Sequence, residues 1–412
     1  MIRLLFEFRI WLKSHKWLFK SGSFIYYLDW KIRKYLKYKI IDNSVLNKHN
    51  KHKCIKYGND NEVVFTEPLS IFEECTDSLI LKQYLNNKFI FERSHYTIFE
   101  DVVLVGPEAI AVTKNGSIIV DSCGGNIDLL DKCSPKIFIN SKKFDIEAEY
   151  SCCAQFVTPY NNNLNKNYWH WVSECLMLME GIEDFDSHHD LNAKIIINNN
   201  PTKYQNQSLE LLGYKNDDII LWKYNKVYVK KLIVPSLRRI PFNNSYITNP
   251  SAINWIKTKY NISNSINNKK FASRIFIHRK DNTGRGIVNN TDFNLLLNSR
   301  SFTSYTLDNM SFNDQINLFY NAKIIISTHG AGLGNIIFSN NPIIIELIGD
   351  PTHNHTEYFR IANYLNFKYS NIYCEYSFND YKDLNKFSFY KEHDIIVDLS
   401  VLELYLDNYN IY

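Results

Sequence analysis

Residues 322–350, AKIIISTHGAGLGNIIFSNNPIIIELIGD, set two runs of β-branched residues on either side of a turn that holds His329 and three glycines. The runs are continuous and do not alternate apolar with polar. Each therefore predicts a strand buried on both faces, as parallel sheets require. Gly330, Gly332 and Gly334 fall where the next element must start. There they let free backbone N–H groups approach an anion closely, or they serve a tight turn and close helix–sheet packing. The stretch alone leaves both open. It is not a P-loop, because no Gly-Lys-Ser/Thr follows, and it does not match G-x-G-x-x-G.

The alternation extends outward from this turn. Strand RIFIHRK, helix DFNLLLNS, strand FTSYTL, helix FNDQINLFYNA, strand KIIIST, helix GLGNIIFS, strand PIIIEL and helix EYFRIANYL follow one another from residue 274 to 365. Strands alternating with helices predict a doubly wound, Rossmann-like domain. A second, fainter version lies upstream: NYWHWVSECLMLMEGI reads as helix, AKIIINNN as strand, YQNQSLELLGY as helix, and DIILW and KVYVKKLIVPS as strands. Before it, DVVLVGPEAIAVTKNGSIIVDS reads as a hairpin turning at Asn115-Gly116. Residues 236–270, with two prolines, one helix and an Asn-rich tail, read as a connection. The chain is thus expected to be α/β, with a basic aromatic segment over 1–45, a Rossmann-like domain over 46–240 and a second over 241–412. Two such domains place a ligand in the cleft between them, at the carboxyl ends of their strands.

The bulk numbers bound the possibilities. The chain has 412 residues, 45% of them hydrophobic and 22% charged, enough to bury a sizeable core. A formal net charge of +4 gives no general reason for a nucleic-acid partner. Its eight cysteines form no C-x-x-C pair, which points to a reduced, cytoplasmic setting. No secretory signal and no run of about twenty apolar residues is read from the sequence. Residues 1–42 are unusual. They interleave aromatics such as Trp11, Trp17 and Trp30 with ten Lys/Arg against three acids, a local charge of +7. That composition settles in an anionic membrane interface, or packs as a basic helix on the body.

Three constellations carry chemistry. The first is the glycine turn, with His329 at its mouth. The second is IFIHRKDNTGRGIVN, residues 275–289, where a strand delivers Arg279 and Lys280 and a loop with Gly284 and Gly286 presents Arg285. Two arginines around a flexible loop suit bidentate gripping of a diphosphate. The third is NYWHWVSE, residues 167–174, where His170 and Glu174 stand four apart on one helix face. A carboxylate there can orient an imidazole for general-base work, or the two can be a satisfied buried pair.

In order, these pieces resemble glycosyltransferase family 61: an Arg-bearing strand and loop, an aromatic-x-x-Gln helix, an H-G-A-x-L-x-N turn and a strand ending in Glu. NYWHWVSECLML resembles the family's upstream His-Trp motif. The likeness runs from about residue 97 to 375 and is strongest over 275–347. It implies a GT-B architecture, an inverting and metal-independent mechanism with no cofactor, and a nucleotide-diphosphate sugar, UDP-linked, held by the C-terminal domain. Carried over by position, it implies that Arg279, Lys280 and Arg285 meet the donor diphosphate. His329, Gly330, Ala331, Gly332, Leu333 and Asn335 line the diphosphate and sugar site, and Glu346 bonds donor hydroxyls. His170, with Glu174, activates the acceptor hydroxyl. The acceptor is then a growing surface glycan or lipid-linked sugar of the capsule or lipopolysaccharide kind, met at the inner face of a plasma membrane through residues 1–42. Where the family usually has Asn-Glu after the second Arg, this chain has Asn289-Asn290. That departure leaves open a non-catalytic glycan- or nucleotide-binding protein on the same fold. Asp184-Phe185-Asp186 spells the D-x-D of metal-dependent transferases, but it lies in an acidic run after a helix and does not close a buried strand. It is read, with His188-His189 and His353-Asn354-His355, as a solvated segment.

Overall fold

The computed structural model describes residues 40–41, 53–65, 85, 87–114, 116–123, 145–157, 167–242, 245–260, 271–279, 286–349, 356–377 and 394–411. Its first sheet has nine strands: β1 (Ile40–Ile41), β2 (Lys53–Lys56), β3 (His95–Val105), β4 (Ile110–Val112), β5 (Ile118–Ile119), β6 (Ala148–Gln155), β7 (Lys194–Asn198), β8 (Ile219–Trp222) and β9 (Lys226–Pro235). Neighbours along β8-β7-β6-β9 pair in parallel, the 3-2-1-4 order of a doubly wound half. Strands β3, β4 and β5 continue it antiparallel from β9. The expected hairpin over residues 101–122 is therefore a three-strand meander with two turns. One turn does fall at Gly116, whose φ is 77°. The other is set by Gly106, φ 79°, just before Pro107, a Gly-Pro turn signal in its own right.

The second sheet is β10 (Arg274–Ile277), β11 (Thr303–Tyr305), β12 (Ile324–Thr328), β13 (Ile343–Ile348) and β14 (Lys368–Tyr373), all parallel in the order β11-β10-β12-β13-β14. Here the β-branched runs do what their continuity predicts. Ile325, Ile344, Ile275 and Ile277 enter one core cluster, while Phe276, Ile324, Ile326, Ile345 and Leu347 enter another on the opposite face. Eight α-helices are described: α1 (Tyr168–Glu174), α2 (Met179–His188), α3 (Lys203–Leu211), α4 (Pro250–Lys259), α5 (Asn290–Ser299), α6 (Phe312–Asn321), α7 (Glu357–Tyr364) and α8 (Leu399–Asn408). Helices α5 and α8 cover one face of the second sheet through Phe293, Leu297, Leu402 and Leu406, while α6 and α7 cover the other. That second core runs without a break into the first half, where it takes in Trp169, Trp171, Tyr96 and Phe185.

Three elements differ from expectation. The helix over NYWHWVSECLMLMEGI breaks after Glu174, where a 3-10 turn over Leu176–Leu178 separates α1 from α2. The helix after the glycine turn is 3-10 over Ala331–Phe338, with Leu333 N–H bonded to Gly330 O and Ser339 N–H to Ile336 O. Glycines at 332 and 334 weaken any α-helical preference there, and packing on both sides sets the tighter winding. The connection over 236–270 is folded structure: a ribbon of Arg239–Phe242 with Ser245–Thr248, followed by α4. It is anchored by Arg238, buried and paired to Glu180 at 2.5 Å.

Candidate active site

In the second sheet the strand order reverses between β10 and β12, and the crevice outside the carboxyl ends of those strands is where doubly wound sheets bind ligands. A cleft of about 590 Å³ occupies that position. Arg279 follows β10 into it, Thr328 ends β12 there, and Gly330, Ala331, Gly332 and Leu333 come after it. From the first half, Asn167 and Tyr168 at the start of α1 and Lys203 at the start of α3 complete the wall. Arg279 is part-buried, and that burial holds its guanidinium below its ordinary pKa, with Tyr358 and Asp308 acting in the other direction. Lys203 and Arg279 give the cleft two cations from opposite halves, a setting for an anionic ligand.

Gly332 and Gly334 serve close packing. An added Cβ at Gly334 would stand 2.9 Å from Trp169 Cζ3 and closer still to Cε3, and one at Gly332 would stand 2.8 Å from Leu307 Cδ1. Asn335 is fully buried and unavailable to a donor sugar. Its amide donates to Gln315 Oε1 at 3.2 Å and to Gly332 O at 2.9 Å, and its oxygen accepts from Tyr168 OH at 2.5 Å. Leu333 is likewise wholly buried. The His-Trp helix, the Gln helix and the glycine turn are thus locked to one another. Asn167 starts α1 by accepting from the N–H groups of Trp169 and His170, at 2.9 and 3.2 Å.

His329 directly follows β12, and its Nδ1 lies 2.5 Å from Glu346 Oε1. Glu346 is 0% exposed in the middle of β13, and its second oxygen accepts from Tyr369 OH. Glu346, expected to bond donor hydroxyls, thus has both oxygens engaged by side chains of the second half: a carboxylate only accepts, so His329 donates to it through Nδ1. Burial first, and then the Glu346 charge, push the Tyr369 hydroxyl well above its usual pKa, so it stays a donor. The His329 ring lies 5.3 Å from that of Tyr358, which lies 5.9 Å from that of Trp169.

A second pair of the same build stands on α1. His170 Nδ1 lies 2.6 Å from Glu174 Oε1, and Arg239 donates to the same oxygen at 2.5 Å while its guanidinium lies 4.1 Å over the Tyr246 ring. Burial alone would raise the Glu174 carboxyl, but the His170 hydrogen bond and the Arg239 charge outweigh it and hold the pKa below the ordinary value. Glu174 is therefore ionised, and it accepts from Nδ1 of a partly exposed His170. Sequence reading passed over Arg239 because it sits in the segment taken as a connection, and Tyr369 because β14 was not anticipated.

Lys280, Gly284, Arg285, His353 and His355 lie outside the described residues, as does the basic aromatic segment apart from Ile40–Ile41. Asn290, the departure from the family pattern, is exposed and accepts from Asn294 at 2.7 Å. It does not line the cleft, so it gives no reason to read the cleft as inactive. Asp184 and Asp186 belong to α2, where Asp186 accepts from Ala193 N–H at 2.9 Å. The His189 ring stacks on Phe185 at 4.3 Å. Among the described residues no helix is long and apolar enough to cross a membrane.

A search of curated proteins finds no match to the chain. Residues 168–345 match the glycosyltransferase 61 family model, from the first residue of α1 to the residue before Glu346, the segment that builds the cleft. Over this segment the chain is similar to glycosyltransferase family 61.

Proposed function

We propose that this protein is a glycosyltransferase that moves a sugar from a nucleoside-diphosphate donor to a hydroxyl of a growing surface glycan, of the capsule or lipopolysaccharide kind, with inversion. The halves around β6–β9 and β10–β14 act as the acceptor and donor sides of a GT-B arrangement. The observation that carries the reading is the cleft at the reversal between β10 and β12, with Arg279 and Lys203 entering it from opposite halves. His170 Nε2 accepts the acceptor hydroxyl's proton, the freed oxygen attacks the anomeric carbon, and the bond to the donor's diphosphate oxygen breaks. Arg279, with Lys280 and Arg285 close after it in sequence, takes up the charge that develops on the leaving diphosphate, which is the work a metal does in other transferases. His329, held by Glu346, bonds a sugar hydroxyl or a diphosphate oxygen. The reaction is placed in the cytoplasm, with residues 1–42 against an anionic membrane surface.

Arg279→Ala tests the reading. Loss of a charge-assisted contact made more strongly in the transition state should lower kcat/KM on the order of a hundredfold and weaken nucleotide binding as well, with activity in EDTA unchanged. Full turnover in the variant would remove Arg279 from the donor site, and abolition by chelation would overturn the metal-free mechanism.

A further inference from the structure

Among the described residues that line the cleft, Asp308 is the sole carboxylate. A site for a diphosphate has reason to exclude negative charge, so one acid in it calls for a ligand group that donates hydrogen bonds. Asp308 lies in the exposed turn that follows β11, and its carboxylate makes no hydrogen bond with another described residue. Strand β11 pairs with β10 on the side away from β12. The carboxyl ends of β11 and β12 are therefore two strand spacings apart, about 10 Å, with Arg279 from β10 between them. That turn is drawn to the cleft by Leu307, which fills the space left by the missing side chain of Gly332. An acid at the end of the strand neighbouring the phosphate-side strand is the position from which doubly wound folds bond ribose hydroxyls.

We infer that Asp308 accepts hydrogen bonds from the 2′,3′-diol of the donor's ribose, so that the enzyme takes ribonucleoside-diphosphate sugars and discriminates against 2′-deoxyribonucleotides. The inference rests on the donor reading above. The diphosphate then points to Arg279 and the base lies outward of β11. Both diol hydroxyls reach one carboxylate, and loss of either leaves a lone pair without its donor.

Calorimetric titration of the full chain with UDP and 2′-deoxy-UDP, and with GDP and 2′-deoxy-GDP, tests this for the wild type, Asp308→Ala and Asp308→Asn. The wild type should prefer one ribonucleotide over its deoxy partner by on the order of tenfold, the worth of a hydrogen bond to a charged group. Asp308→Ala should erase the preference by weakening the ribonucleotide alone, and Asp308→Asn should narrow it. Equal affinity of the wild type for both members of a pair overturns the inference but leaves the donor reading standing. So does an Asp308→Ala variant that weakens both members alike, since Asp308 would then act only through Arg279. If no nucleotide binds, the donor reading falls and the inference with it.

Discussion

Gly334→Ala is the substitution that most directly tests how the two halves are joined. The new methyl would stand 2.9 Å from Trp169 Cζ3 and nearer to Cε3, where ordinary carbon contact begins at about 3.4 Å. Half an ångström or more must be found, and neither side has it to give. Trp169 is 7% exposed and held against Tyr358, while α1 is tied to the same turn by Tyr168 OH on Asn335. Overpacking of a rigid core contact costs about 1–3 kcal/mol, and a clash between backbone-anchored Cβ and an aromatic ring belongs at the upper end. Equilibrium urea unfolding of the wild type, Gly334→Ala, Trp169→Leu and the double variant checks it. Trp169→Leu alone should cost about 3 kcal/mol. Once the indole is gone the extra methyl fills space, so the double variant should be more stable than the sum of the singles by at least about 1.5 kcal/mol. Additivity within about 0.5 kcal/mol would show that Trp169 is not what excludes a side chain at 334.

Two further outcomes follow from the same geometry. His170 and Arg239 hold the folded pKa of Glu174 below the ordinary 4.5 of a glutamate. Its contribution is therefore whole above about pH 4.5 and fades as pH falls through the lower folded value; the stability gap between wild type and Glu174→Gln should be about 1.5–3 kcal/mol near neutrality and shrink toward pH 3, and a gap that stays constant would refute the ionised assignment. Removing residues 1–38, which spares the pairing of Ile40–Ile41 with Ile118–Ile119, should cut co-sedimentation with phosphatidylserine vesicles and make it insensitive to salt; unchanged partition would place the membrane contact elsewhere.

What sequence made legible was the part of the molecule governed by pattern. IIIST and IIIELI declare buried parallel strands because both of their faces meet apolar cores, and the glycine turn was placed because turns punctuate such runs. The job of each polar residue in the turn was set by register instead. Pairing of Ser327 with Glu346 brings the carboxylate beside the end of β12, and pairing of Glu346 with Asn371 brings Tyr369, two residues before it, within reach of the second oxygen. No local spacing announces either. Arg239 was hidden for a different reason: its partner Glu174 lies 65 residues upstream, and its own segment, SLRRIPF, has the composition of a loop.

The residues that carry the family likeness turn out to divide in two. Arg279, Thr328 and Gly330–Gly332 face the cleft. Tyr168, Trp169, Gln315, Gly334 and Asn335 bond and pack with one another and hold the glycine turn against α1. In the proposed mechanism a motif shared for the second reason still serves catalysis, because α1 also bears His170. With α1 fixed to the glycine turn by a buried hydrogen-bond chain and an interlocked indole, the distance from His170 to that turn is a property of one packed unit. It does not wait on closure of the halves. A positional error of about 1 Å in such a constellation costs on the order of a hundredfold in rate. Gly334→Ala, which must push Trp169 and α1 away from the turn, should therefore lose far more in kcat than in donor affinity, since Arg279 stands on a different strand and is left where it was.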